Sequence, residues 1–278
     1  MANESNEPSY TLYVYHTRYS SWGARVQLIL QYFQIAHKLE YFYYNNPALS
    51  PPVDLGTTTL PVLDVPGSII GTGESESETE PLRVADSLAI SEFLAEQHPA
   101  KPLWPRDPYL RALARTAAAK MHSGFTALRG AYACNFVTRY TGPGIPLDEA
   151  TAKDVRGIVE LWSGLRAATT KRLALLGKTD EDEGFLCGGF SIADAFFWPV
   201  LWRFRTYNVP LTGISEDGLK WMETMWNDPV TKALGREYFQ QARDPQTHNA
   251  MYEDIFKGIP GVKSEKFAED WVFERTST

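Results

Sequence analysis

Tyr10 to His16 is rich in β-branched and aromatic residues and predicts a strand. From Trp22 to Ile35 the apolar positions change to helical spacing, with Val26, Ile29, Leu30 and Phe33 on one face. Lys38 to Tyr44 reads as a second, aromatic strand. A turn-rich stretch with Pro47, Pro51, Pro52 and Gly56 follows, and then a third strand from Thr59 to Val65. A short fourth strand around Leu82 to Ala85 precedes a helix from Asp86 to about Gln97, ended by Pro99. The predicted order is β-α-β followed by β-β-α.

Beyond Pro99, Pro102, Pro105 and Pro108 punctuate a linker, and apolar residues then recur at three and four. Helices are predicted from Leu110 to about Ala133, from Asp148 to Leu176 and from Ser191 to about Tyr207. Ser191-Ile192-Ala193-Asp194 is a hydroxyl-x-x-acid pattern that opens a helix, where serine and aspartate satisfy end amides reciprocally. From Asp244 onward Tyr252, Phe256, Phe267, Trp271 and Phe273 make the chain too aromatic for a free tail, so it is expected to pack on the body. No internal repeat is visible. The expected organisation is a polar tail over 1–9, an α/β domain over 10–98, a linker over 99–108, an all-helical domain over 109–243 and an extension over 244–278. Between the third and fourth strands, Gly67 to Pro81 alternates Glu74, Glu76, Glu78 and Glu80 with Ser and Thr. Such a segment buries too little apolar surface to offset its ordering entropy, and it reads as a mobile, solvated hairpin insert.

The length of 278 residues supports two packed domains, and the 44% hydrophobic content suffices for a substantial core. A net charge of −7 opposes a phosphate-tracking surface, so nucleic acid is not an expected partner. No run of about eighteen apolar residues exists and the N-terminal residues are polar and acidic, which predicts a soluble, cytoplasmic protein without a membrane partner. Cys134 and Cys187 stand in unrelated contexts. They indicate neither a disulfide framework nor a metal site and read as buried or incidental thiols.

Two stretches carry the chemistry. Tyr19-Ser20-Ser21-Trp22-Gly23-Ala24-Arg25-Val26 follows the first strand. Thr59-Leu60-Pro61-Val62-Leu63 leads, after the insert, to Asp86-Ser87-Leu88-Ala89-Ile90. A hydroxyl before a helix can be only an N-cap, and a proline near a strand only an edge marker. Their order and spacing nevertheless resemble the glutathione-binding half of a glutathione transferase. Phe190-Ser191-Ile192-Ala193-Asp194-Ala195 looks like that family's capping motif. Met121-His122-Ser123-Gly124-Phe125 with Phe204-Arg205-Thr206-Tyr207 resembles a branch common among bacterial and fungal members. The resemblance covers roughly residues 10 to 240. It implies a thioredoxin-like N-terminal domain with an all-helical C-terminal domain, a homodimer, and glutathione as the cofactor.

A free thiol titrates near ~8.5, and each unit of depression corresponds to about 1.4 kcal/mol of thiolate stabilisation. Ser20 and Ser21 lie where strand one turns into helix one, so a hydroxyl and the positive helix end would act on the same sulfur. The register resembles zeta-class members, whose pattern is Ser-Ser-Cys followed two residues later by Arg-Val. Here Trp22 replaces the cysteine, which counts against zeta-type maleylacetoacetate isomerisation. Tyr19 is a rival activator, since a phenol donates the same hydrogen bond if it points inward. Arg25, one turn into an apolar helix, reads as a structural ion-pair partner. By the resemblance, Pro61 is a cis-proline that leaves Leu60 to bond the cysteinyl part of glutathione as an added strand, and Asp86 and Ser87 receive the γ-glutamyl group.

From Leu39 to Leu82 there is no Lys, Arg or His, where many family members hold the glycyl carboxylate. Asn45, Asn46, Lys38 or His37 would have to substitute. In the helical half, Phe125, Trp198, Trp202 and Tyr207 are candidates for an apolar co-substrate pocket. His122, Arg129, Arg203 and Arg205 are candidates for orienting an anionic substrate or a carbonyl. Core packing would produce the same aromatic spacing. The activity implied is addition of an activated thiolate to a small hydrophobic electrophile. Glutathione-dependent cis–trans isomerisation of a conjugated metabolite is the variant. The alternatives are a binding protein with a decayed cofactor site and a glutathione-independent biosynthetic enzyme on the same fold.

Overall fold

The computed structural model describes residues 9–67, 69 and 82–274. Strand β1 (Tyr10–Tyr15) alternates buried Tyr10, Leu12 and Val14 with half-buried neighbours, the period of two required of a strand with one face on the core. Helix α1 (Ser21–Tyr32) follows, then β2 (His37–Phe42), β3 (Val62–Val65), β4 (Leu82–Ala85) and α2 (Ser87–Gln97). The sheet order is β2-β1-β3-β4. β1 and β2 are parallel, as a crossover through α1 requires, while β3 and β4 are antiparallel to their neighbours. The expected acidic hairpin falls almost wholly on 68 and 70–81, outside the described residues.

Helices α3 (Pro108–Ser123), α4 (Thr126–Ala131), α5 (Glu149–Leu176), α6 (Ile192–Thr206), α7 (Glu216–Asn227) and α8 (Pro229–Arg243) build the second half. α6 is its axis, packed against α1 and α3 and buried along almost its whole length. The carboxylate of Asp194 is sealed at its start. It accepts from Ser191 N and Leu186 N (both 2.9 Å), Ser191 Oγ (3.0 Å) and Trp221 Nε1 (2.9 Å). Burial raises its pKa against these bonds.

The single helix expected from Leu110 to Ala133 is instead two. At Gly124 a Cβ would stand 2.6 Å from the Lys120 carbonyl oxygen, and Phe125 is left-handed at φ +54°, so the chain turns before α4. Arg129 Nη1 then donates to the freed carbonyls of His122 and Gly124, each at 3.1 Å. The second half is mostly rather than wholly helical. β5 (Thr138–Thr141) pairs antiparallel with β6 (Lys263–Lys266) of the extension, which also contains the short helix α9 (Ala250–Glu253). Phe267 N donates to Val137 O at 2.9 Å, and Phe256 and Phe267 are buried, so the extension lies against the body.

Candidate active site

The C-terminal end of β1 leads through a tight turn, in which His16 O accepts from Tyr19 N (3.0 Å) and Ser20 N (3.2 Å), into α1. Ser20 is the N-cap, its Oγ accepting from Gly23 N at 3.3 Å. A Cβ on Gly23 would lie 2.9 Å from Val14 Cγ1, so only glycine lets α1 start this close to β1. Both serines are buried against a cavity of about 700 Å³. From the other side Leu60 and Pro61, joined by a cis peptide bond, line the same cavity just before β3.

β4 delivers the third wall. Asp86 caps α2 from a left-handed conformation at φ +77°. Its Oδ1 accepts from Leu88 N (2.7 Å) and Ala89 N (3.2 Å), while its Oδ2 lies 3.5 Å from His122 Nε2. Ser87 is fully buried, lines the cavity, and has no hydrogen-bond partner for its Oγ among the described residues. A buried hydroxyl without a partner costs free energy, which a bound polar group would recover.

The helical half supplies positive charge. Arg129 of α4 and Arg203 of α6 both line the cavity. Arg203 Nε and Nη1 are held by the carbonyls of Tyr132 (2.9 Å) and Pro199 (3.3 Å). Behind them Arg25 is completely buried. It forms no ion pair among the described residues, contrary to the expectation from sequence. Its guanidinium carbon lies 4.6 Å from the Trp22 ring and 4.8 Å from Phe196, and its three nitrogens have no hydrogen-bond partner among the described residues. Burial first, then the nearby charges of Arg129 and Arg203, push its pKa down to about 9. The field of Asp86 opposes this shift only in part.

The cavity thus gathers Tyr19, Ser20, Ser21, Trp22, Leu60, Pro61, Asp86, Ser87, Arg129 and Arg203 of the residues singled out from sequence. Others go elsewhere. Trp198 and Trp202 are buried and, with Arg205, border a separate cleft under the extension. Arg205 lies over the rings of Phe267 (3.7 Å) and Trp202 (4.1 Å). Tyr207 is stacked between Tyr132 and Tyr140 in the core. These four belong to the packing of α6, whose aromatic spacing does not reveal which face meets the cavity. Phe125 caps α4, and His122 stands behind Trp22 at 5.3 Å, so neither lines the cavity. The Tyr19 hydroxyl, the rival activator, is already committed: it donates to the Glu253 carboxylate and accepts from Asn249 N (3.3 Å).

Of the substitutes considered for the absent basic residue, His37 and Lys38 pair with Tyr10 and Thr11, at the end of β1 remote from the cavity, and Asn45 Nδ2 donates to His248 O. Thr58 and Thr59 line the cavity instead. Tyr15, Tyr44, Cys134 and Tyr252 are further wall residues. Only the aromatic richness of the extension hinted at Tyr252, and a lone cysteine in a loop gave no signal for Cys134.

Comparison with known proteins agrees with this architecture. The family model described as glutathione S-transferase, C-terminal domain, matches residues 111–224. The fold is that of the glutathione transferases. Among curated relatives, the chain is 26% identical over 255 residues to pyrimidodiazepine synthase of Drosophila melanogaster, covering 86% of each chain. It is 28% identical over 139 residues to maleylacetoacetate isomerase of Dictyostelium discoideum, covering 47% of this chain and 55% of that one. Among solved structures, Ure2p in complex with glutathione aligns with a TM-score of 0.56 at 18% identity, covering 81% of this chain and 97% of that one. A glutathione transferase homologue from Burkholderia with bound glutathione aligns at 0.53 and 20% identity, covering 85% and 99%. Among the described residues no helix is long and apolar enough to cross a membrane.

Proposed function

We propose that this chain is a glutathione-dependent enzyme that activates the cofactor's thiol for addition to a small electrophile. The observation that carries the reading is the convergence in one cavity of three features: the two serines at the start of α1, Leu60 before cis-Pro61, and the start of α2 with its unpartnered Ser87 hydroxyl. The fit to glutathione is chemical. Ser87 Oγ and the α2 amides suit a carboxylate, Asp86 suits an ammonium, and Leu60, lying beyond the β3 ladder, suits an added peptide strand. Thr58 and Thr59 are the neutral donors for a second carboxylate. Glutathione supplies the nucleophilic sulfur. Ser20 keeps its cap bond through an oxygen lone pair, so its proton remains free to donate to that sulfur. Ser21, the first residue of α1, has a hydroxyl with no capping duty. The helix amide ends add positive potential at the same point.

The isomerase variant draws on Arg129 and Arg203. Attack on a conjugated alkene moves negative charge onto the substrate's carbonyl oxygen, and two guanidinium groups on the cavity wall would stabilise it. The maleylacetoacetate isomerase relative points the same way.

The test is calorimetric titration with reduced glutathione and an S-alkyl analogue, followed by product analysis with electrophilic and conjugated substrates. Binding in the micromolar to low millimolar range is expected, and absence of binding by both ligands would sink the reading. Consumption of one glutathione per product would mark conjugation, whereas catalytic dependence would mark isomerisation. Sedimentation of the same sample tests the homodimer that the family implies.

A further inference from the structure

Cys134 shares the cavity wall with Arg129, Arg203 and Tyr252, whereas the other thiol, Cys187, is sealed between α5 and α6 and burial pushes its pKa up. The backbone around Cys134 is fixed on both sides. Arg203 Nε bonds Tyr132 O at 2.9 Å, the Tyr207 hydroxyl bonds Ala133 O at 2.6 Å, and Thr206 Oγ1 bonds Asn135 O at 3.1 Å. Phe136 N donates to Arg18 O at 3.2 Å, tying this segment to the loop that runs directly into Ser20. Cys134 is 5% exposed and lines the cavity.

We propose that Cys134 is a site of thiol–disulfide exchange with glutathione disulfide admitted to this cavity. The proposal rests on the reading of the cavity as a glutathione site. It does not rest on the thiol alone. The Ser87 hydroxyl, fully buried on the same cavity and unpartnered among the described residues, independently calls for a polar ligand there. Glutathione disulfide carries net negative charge, and Arg129 and Arg203 draw it to the wall that holds Cys134.

The Cys134 thiol loses its proton to solvent, and the sulfur attacks one sulfur of the disulfide. A Cys134–glutathionyl bond forms, the glutathione S–S bond breaks, and the second glutathione leaves as a thiolate, which takes up a proton. Two-electron balance is kept, since the oxidant is the disulfide itself. The attached glutathionyl group then fills the cavity and excludes a second molecule. Attack by reduced glutathione on the mixed disulfide restores the thiol and regenerates glutathione disulfide. The cavity thus becomes responsive to the ratio of reduced to oxidised glutathione.

The test incubates the full-length protein with glutathione disulfide and reads intact and peptide masses without a reducing step. One glutathionyl group on the peptide containing Cys134 and none on Cys187 is expected. The group should be removed by reduced glutathione, and its rate of appearance should fall at least tenfold with an excess of S-methylglutathione. Cys134→Ser should take up none. Binding of S-methylglutathione, seen by calorimetry, with Cys134 unmodified would overturn this proposal and leave the glutathione site standing. Absence of that binding would overturn the reading of the cavity and this proposal with it. Equal modification of Cys187, or modification of Cys134 unaffected by S-methylglutathione, would overturn exchange through the cavity.

Discussion

Arg18 Nη2 lies 2.8 Å from Glu253 Oε1, joining the loop ahead of α1 to α9 of the C-terminal extension. Arg18 is fully buried and its Nε and Nη1 have no partner among the described residues, where its charge is met by this contact and by the Tyr19 ring 3.9 Å away. The same carboxylate accepts from the Tyr19 hydroxyl, and Tyr252 beside it lines the cavity. Glu253→Ala should therefore destabilise the protein by about 2 kcal/mol. That is below the usual loss for breaking a sealed pair, because Glu253 is 27% exposed. Denaturant unfolding checks it.

The acid limb of stability should report the same contact. Burial opposes ionisation of Glu253, but the hydrogen bonds from Tyr19 and Arg18 outweigh it and hold its pKa below the ordinary glutamate value. A depressed folded-state pKa gives stability that is present above the unfolded value and lost as pH falls through the folded one. Glu253→Gln should flatten the fall in stability below about pH 4.5 relative to the wild type. Superimposable acid unfolding profiles would contradict it.

Ser20 and Ser21 separate by their duties. Ser20→Ala removes a cap and should cost about 1 kcal/mol of stability whatever its role with sulfur, whereas Ser21→Ala removes a hydroxyl without one. The residue that activates the thiol should show a turnover loss of tenfold or more on substitution. A stability loss in Ser20→Ala with unchanged turnover, together with a turnover loss in Ser21→Ala, would assign the sulfur to Ser21.

The half of the cavity built by the α/β domain was legible because local rules mark it: a hydroxyl at a strand-to-helix turn, a proline before a strand, an Asp-Ser opening a helix. Each is a backbone event within a few residues of sequence. The helical half was not, since Trp198, Trp202 and Arg203 all lie on one buried helix and spacing does not say which neighbour each meets. Arg203 faces the cavity while Arg205, two residues on, faces the extension. Cys134 and Tyr252 reach the cavity through contacts between segments more than a hundred residues apart, of which Asn135 Nδ2 to Tyr252 O at 3.0 Å is one. The break at Gly124-Phe125 was hidden because the apolar repeat runs on through it.

Asp194 should be the most costly single substitution among the polar residues of α6. Its carboxylate satisfies four donors in a sealed site. Asp194→Ala leaves them without an acceptor, an expected loss of roughly 4 kcal/mol or failure to fold. Asp194→Asn offers one acceptor oxygen and an amide that faces two of those donors, so it should recover only part. A melting temperature within a degree or two of wild type for Asp194→Ala would contradict this role.

Arg205 discriminates packing from substrate binding. Its guanidinium sits among Trp202, Phe267 and Trp271, the last two from the extension, and Nη2 donates to Phe136 O at 3.0 Å. Cation–π contacts of this kind contribute about 0.5–2 kcal/mol, and the loss of the Phe136 bond adds about 1 kcal/mol. Arg205→Ala should thus loosen the chain around Phe267 and Trp271 and raise proteolytic cleavage there. Affinity for S-alkyl glutathione should stay within twofold, because Tyr252 is held separately through Asn135 and Glu253 through Arg18. A large loss of affinity with unchanged proteolysis would return Arg205 to the ligand site.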